Sequence, residues 1–288
     1  MNKPALSPVL ATVCLAAMSL GTASAVETDI QLVNTETNEF DLRLGAELVN
    51  KHYDQGVIRN QNVTAIGHLD MRYWDIGFHA DWYLAANGDD SQTDTIHAGE
   101  TTQINLGVDY LIELEGLFQF IPHYEMITYP NWSEQPYKSG QHWFGLDAWY
   151  LLPWQGVEIG ASFDYNPFYD GYKDAYRGNG GLSSHAFRSA VASRQFIQNA
   201  PLDIAFYQVI NFGNSSYKDF LINSDETGFT TADIGLRYVA PFFLNDLWVV
   251  TRLEAHFWLE SDDREALKAA GKETAEIIMG VGFEWKPE

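Results

Sequence analysis

The chain has 288 residues, 46% of them hydrophobic, and 17 Lys+Arg stand against 39 Asp+Glu for a formal net charge of −22. So acidic a balance excludes nucleic acid as a partner and suits a protein that handles cations or neutral solutes, or one living among divalent ions. The single cysteine, Cys14, excludes a disulfide framework.

Residues 1–25 read as a cleaved signal peptide. Lys3 supplies the positive n-region, Val9 to Leu20 an apolar stretch too short to span a bilayer as a helix, and Ala23-Ser24-Ala25 the cleavage site. Val13 before Cys14 is a poor fit to lipoprotein processing. Lys3 is the only charge in that segment, so the remaining chain carries a net −23. Residues 26–39 are polar and unpatterned, the expectation for a periplasmic tail. From residue 40 to 288 one pattern repeats: apolar and polar residues alternate. Near the end, Ile277, Met279, Val281, Phe283 and Trp285 alternate with Glu276, Gly280, Gly282 and Glu284. Side chains on a strand point alternately to opposite faces, so each segment has one apolar and one polar face.

The alternation predicts strands near 40–53, 61–73, 76–86, 101–112, 117–129, 142–151, 157–165, 185–196, 202–213, 229–239, 247–259 and 274–285. The segment 185–196 is interrupted by His185, Arg188 and Arg194, and Ala190-Val191-Ala192 would also suit a helix. It reads as a loop helix or as a strand sheltered by the lumen or by a neighbouring subunit. Pro122 lies within a strand and predicts a bulge, because it cannot donate to the ladder.

The connections alternate in length. Short turns fall at Trp74-Asp75, Glu113–Gly116, Leu152–Gly156, Gln198–Pro201 and Ala240–Asp246. Longer polar segments fall at Asn87–Glu100, Pro130–Gln141, Asn166–Ser184, Asn214–Gly228 and Glu260–Lys272, and only Asp54–Asn60 is modest on that side. Aromatic residues crowd the strand ends. Tyr73, Trp74, Phe118, Phe120, Trp154, Phe242, Phe243, Trp248, Phe283 and Trp285 lie on the turn side; Tyr53, Trp82, Tyr129, Trp132, Trp143, Tyr165, Phe168, Phe212 and Trp258 lie on the loop side. Apolar faces outside, charged faces inside, two aromatic girdles and alternating loop lengths predict an all-β fold: an antiparallel transmembrane β-barrel of about twelve strands.

On these features the chain resembles bacterial outer-membrane β-barrel proteins, in the size range of small porin-like channels. The last strand, with Val281, Phe283 and Trp285 alternating, is similar to the carboxyl-terminal assembly signal of such proteins, although Lys286-Pro287-Glu288 follow it. The resemblance implies an outer-membrane location in a Gram-negative envelope, contact with outer-membrane lipid and lipopolysaccharide, handling by the barrel assembly machinery, and passage of a small polar solute.

The register places an acidic wall of Asp109, Glu125, Asp147, Glu158 and Asp164 across the lumen from a mixed-basic wall of Arg43, Arg72, Arg237 and Arg252. Such walls would set up a transverse field for dipolar solutes, or would pair into a plug. In the hairpin around Trp74-Asp75, His68 falls opposite Asp81 and Asp70 opposite His79. The four groups are candidates for a metal or pH-sensing cluster, or for mutual neutralisation across strands. His123 with Glu125, and Glu254 with His256, repeat the spacing. No further cofactor is implied.

No G-x-S-x-G or H-E-x-x-H motif is present. Ser183-Ser184-His185 and His142 lie where a lipid-modifying barrel enzyme would carry its nucleophile and base, which keeps an enzyme as an alternative beside a non-conducting structural or adhesion barrel. Acidic loop clusters (Asp89, Asp90, Asp94, Glu100; Asp219, Asp225, Glu226; Glu260, Asp262, Asp263, Glu265) would be solvated or would hold divalent cations, although none has dedicated calcium-loop spacing. The balance favours a channel for passive diffusion of small polar solutes, leaning to cations or neutral molecules.

Overall fold

A computed structural model describes residues 40–54, 57–88, 96–130, 141–152, 156–167, 185–199, 202–222, 226–242, 246–269 and 271–286. The signal and tail expectations, and those on Trp132, Trp154, Phe168, Ser183, Ser184, Phe243, Asp89, Asp90, Asp94 and Asp225, lie outside these residues.

Strands β1 (Phe40–Val49), β4 (Thr64–Tyr73), β5 (Ile76–Ala85), β6 (Thr101–Tyr110), β7 (Ile112–Leu114), β8 (Phe118–Thr128), β9 (Gln141–Leu152), β10 (Val157–Asn166), β11 (Ala186–Asn199), β12 (Leu202–Gly213), β13 (Gly228–Pro241), β14 (Leu247–Trp258) and β15 (Ala275–Trp285) form one antiparallel sheet. β6 and β7 are two parts of one staircase strand, and both pair with β8. β1 pairs with β15, and β6 with β8, so the sheet closes as a barrel of twelve strands. Closure leaves no unpaired edge. A small hairpin, β2 (His52–Asp54) with β3 (Val57–Asn60), stands apart from the wall.

All twelve predicted segments are strands, including 185–196, which is β11. Its inward row of Ala186, Arg188, Ala190, Ala192 and Arg194 mixes alanine with arginine, so it reads poorly as hydrophobic alternation yet pairs along its length with β10 and β12. The expected bulge at Pro122 is absent from the β8–β9 ladder, where Pro122 pairs in register with Leu146. The disturbance falls on the other neighbour. The β6–β8 ladder ends at Asp109–His123, and Leu111 donates instead to the carbonyl of Asp75 at 2.7 Å.

The outer face is apolar: Leu44, Leu48, Ile277, Met279, Val281 and Phe283 are all exposed. Aromatic rings mark both rims. At the short-turn end Tyr73 stacks on Trp74, Phe118 packs on Tyr150, and Phe242 meets Phe283 edge-on. At the long-loop end Tyr124, Phe144, Tyr165 and Phe187 form a row across four neighbouring strands. The tight turn after β4 places Trp74 at φ 53°, the left-handed region that a two-residue hairpin turn demands.

Two short helices occupy the long connections. α1 (Ser215–Ile222) begins at Asn214, whose side-chain oxygen accepts from the amide of Tyr217 at 3.1 Å, an N-cap. α2 (Ser261–Ala269) carries Asp262 and Asp263 in its first turn and Lys268 in its last, as the helix dipole favours. It ends with Gly271 at φ 72°, where Gly271 donates to Lys268 and Lys272 to Leu267.

Candidate functional site: the barrel interior

The interior is layered along the barrel axis. At the short-turn end the inward side chains are charged and half-buried. Arg72 Nη2 donates to Asp109 at 2.6 Å and Arg72 Nη1 to the carbonyl of Asp75 at 3.1 Å. Arg43 pairs with Asp41 at 3.2 Å, Arg237 with Glu284 at 3.1 Å, and Lys286 with the same Glu284 at 3.1 Å.

Above this vestibule run two ion networks. The first joins β8 to β11. Arg188 Nε donates to Asp164 at 2.9 Å and its Nη2 to Glu125 at 3.2 Å, while its guanidinium lies 4.1 Å from the Trp143 ring centre. His123 Nε2 is 2.8 Å from the other oxygen of Asp164, and its Nδ1 is 3.8 Å from Asp147. Gly145, inward on β9, leaves the space this pair fills, because a Cβ there would strike both His123 and Asp164. One step toward the turns, Arg194 lies 3.7 Å over Trp149 and 4.0 Å from Glu158.

The second network lies on β1 and β12–β14. Arg252 is 2.8 Å from Glu47 and 3.5 Å from Glu254. His256 bridges Asp233 at 2.8 Å and Glu254 at 3.2 Å. Asn211 donates to Asp233 at 2.6 Å, and Tyr53 from β2 stacks on His256 at 3.7 Å.

The acidic wall is therefore not bare. Asp109, Glu125, Asp147, Glu158 and Asp164 all face inward, but Arg188 and Arg194 of β11 reach into them. In the sequence these two arginines interrupt the apolar pattern of the strand, and their even spacing with Ala186, Ala190 and Ala192 is the signal that puts them in the lumen. Glu125, Asp147, Glu158 and Asp164 still outnumber the two guanidiniums. Of the mixed-basic wall, Arg43, Arg72, Arg237 and Arg252 each pair with a carboxylate. In the β4–β5 hairpin the register sets His68 opposite Asp81 and Asp70 opposite His79. His68 bonds Asp81 at 2.8 Å and approaches Glu47 at 3.9 Å. His79 instead lies over Gly107 of β6, so the four groups do not converge on one point. Among the described residues no three His, Cys, Asp or Glu side chains are placed to share a metal ion.

The long-loop end is apolar. Inward-facing Ile127, Tyr129, Trp143, Ala186 and Trp258 pack with Tyr217, Leu221 and Ile222 of α1 and Leu267 of α2 in one buried cluster. A second cluster of Val49, Ile66, Tyr83 and Ile278 lies against Tyr53. The β2–β3 hairpin is fastened inward by the Tyr129 hydroxyl, which donates to Asp54 at 2.8 Å, and by stacking of His52 on Tyr83 at 4.4 Å. Lys218 of α1 is wholly buried and bonds Glu260 at 2.6 Å and Asp263 at 2.7 Å. Burial alone would depress its ammonium, but its pairing with the Asp263 and Glu260 carboxylates outweighs it and holds its pKa above the usual lysine value. The segment read as a solvated acidic loop thus supplies an ion pair that ties α1 to α2. His142 and His185 turn to the outer face, where they bond Tyr124 at 2.6 Å and Tyr165 at 2.7 Å.

A closed antiparallel barrel with an apolar exterior, a charged interior and a folded cap at one mouth is the class of protein these features define. Among solved structures, the chain is similar to the NanC porin at 9% identity and a TM-score of 0.49, over 86% of this chain and 100% of that one. It is also similar to an outer-membrane channel from Pseudomonas putida F1, at 9% identity and a TM-score of 0.46, over 86% and 96% of the two chains. A third is OprB of Pseudomonas putida, at 9% identity and a TM-score of 0.39, over 86% and 94%. No family model and no curated protein sequence matches the chain.

Proposed function

We propose that this protein is an outer-membrane channel for passive diffusion of small polar solutes, exported by a cleaved signal peptide, with its outer mouth narrowed by α1, α2 and the β2–β3 hairpin. The observation that carries this reading is that charged groups inside the wall keep accessible surface: Asp147, at the middle of β9, keeps 29% of its side-chain surface exposed, and Asp41 at the turn end keeps 45%. A lumen built only as a packed plug would bury such groups completely. The apolar exterior with aromatic rims suits a bilayer, where only helices or closed barrels satisfy every backbone group. Lipid and lipopolysaccharide are the surroundings this implies.

The excess of carboxylates over guanidiniums along β8–β11 favours cations or neutral solutes. Planar-bilayer recordings under a salt gradient test both points: ohmic steps support a channel, and the sign of the reversal potential reports the charge preference. An enzyme is the less favoured reading, because the ring nitrogens of His142 and His185 engage the hydroxyls of Tyr124 and Tyr165, not a serine nucleophile.

A further inference from the structure

We propose that the outer face of β11 and β12 is a dimer interface, occupied by a second copy of this chain about a two-fold axis parallel to the membrane normal. The inference rests on the membrane-spanning reading above. Almost everywhere the outward row of each strand is made of Leu, Ile, Val, Met, Ala and aromatic residues. On β11 the outward row between Phe187 and Ile197 is Ser189, Val191, Ser193 and Gln195, and on β12 the residue between Phe206 and Ile210 is Gln208. Both glutamines are exposed. Ser193 pairs in register with Gln208, and Gln195 with Phe206, so the two amides stand diagonally across one ladder. Ser193 and Gln208 lie at the middle of their strands, between the aromatic rows of the two rims. Neither amide bonds another described residue.

At that depth lipid offers no hydrogen-bond partner, and water is excluded. A primary amide carries both donors and an acceptor, so two such groups satisfy each other. Rotation about the membrane normal preserves depth, which brings Gln208 and Ser193 of one barrel against the same residues of the next. A stripe confined to two adjacent strands meets itself only about a two-fold axis. The small neighbours Ala161, Ser189, Val191 and Ala232, all outward, let two walls approach closely.

The test is sedimentation equilibrium of the full mature barrel in density-matched micelles, comparing wild type with Gln195→Leu/Gln208→Leu. Heat-modifiable gel mobility and insertion into liposomes establish folding and membrane spanning separately. The expected result is a dimer for wild type, with dissociation in the double variant about tenfold or more easier, and both proteins folded and inserted. A Leu69→Gln variant on the far side of the barrel, on β4, should leave the dimer unchanged. A folded, inserted wild type that stays monomeric overturns the proposal, as does a double variant that dimerises as tightly as wild type. Crosslinking of the stripe in native membranes to a different protein, with no self-association, also overturns it. A protein that fails to insert overturns the membrane reading instead.

Discussion

Lys218 and Asp263 meet at 2.7 Å with both side chains fully buried, and this contact joins the two helices of the long-loop end. The residues lie in different loops, and Glu260 completes the cage at 2.6 Å from the same ammonium. Removing one partner of a buried pair leaves the other charge uncompensated, at a cost of about 3–5 kcal/mol. Lys218→Met should therefore release the cap and leave the barrel wall intact. The expected readout is faster proteolysis within 214–227 and 259–274, larger conductance steps, and unchanged heat-modifiable mobility. Lys218→Met/Asp263→Leu should recover much of the protection, because the stranded carboxylate is gone.

The same pair fixes a pH dependence. The Lys218 pKa is raised in the folded cap, so its contribution is fully present below the unfolded lysine value of about 10.4 and is lost as pH rises through the folded value. Open probability should stay flat in this respect from neutral pH to about 10 and rise above it, and Lys218→Met should abolish that alkaline rise. Recordings across a pH series check the sign.

Arg188 holds Asp164 and Glu125 together beneath Trp143. Arg188→Met would leave two buried carboxylates facing each other, and urea-induced unfolding should show a loss of about 3–5 kcal/mol. Arg188→Lys should lose less, since one ammonium still neutralises the pair but cannot reproduce the fork.

Asp147 is the acidic group on this wall whose side chain is most exposed, with the His123 ring 3.8 Å away. Asp147→Asn should lower the preference for cations while leaving step size within about twofold, because one wall charge changes ion concentration more than pore width. Reversal potentials in a salt gradient measure the difference.

The barrel was legible in the sequence because a lipid-facing wall leaves a period-two trace in every strand, and because turns and loops alternate in length. Ile277, Met279, Val281, Phe283 and Trp285 show the trace at its clearest. What failed to register were features set by contacts distant in the chain. In sequence Arg188 and Arg194 look like defects; the fold brings Asp164 and Glu158 beside them from the neighbouring β10, and Glu125 across the lumen face from β8. Glu260 and Asp263 read in sequence as solvated loop acids, since their partner Lys218 lies 42 residues before Glu260. The cap helices span eight and nine residues, too few for a clear helical period in a polar segment. Pro122 was expected to force a bulge and does not: the register runs unshifted past it on both sides, and only the ladder toward β6 and β7 is interrupted where the missing N–H would donate. His79 was expected opposite Asp70 and is so placed, yet the empty space over Gly107 takes its ring away from His68.

The most direct test of the central claim is single-channel recording of the refolded mature protein in planar bilayers under a salt gradient, with wild type and Lys218→Met side by side. The account predicts small ohmic steps with a cation-leaning reversal potential for wild type, and larger or more frequent openings for the variant. Silence from both proteins, each shown to be folded and inserted, would contradict it and mark the interior as a packed structural plug.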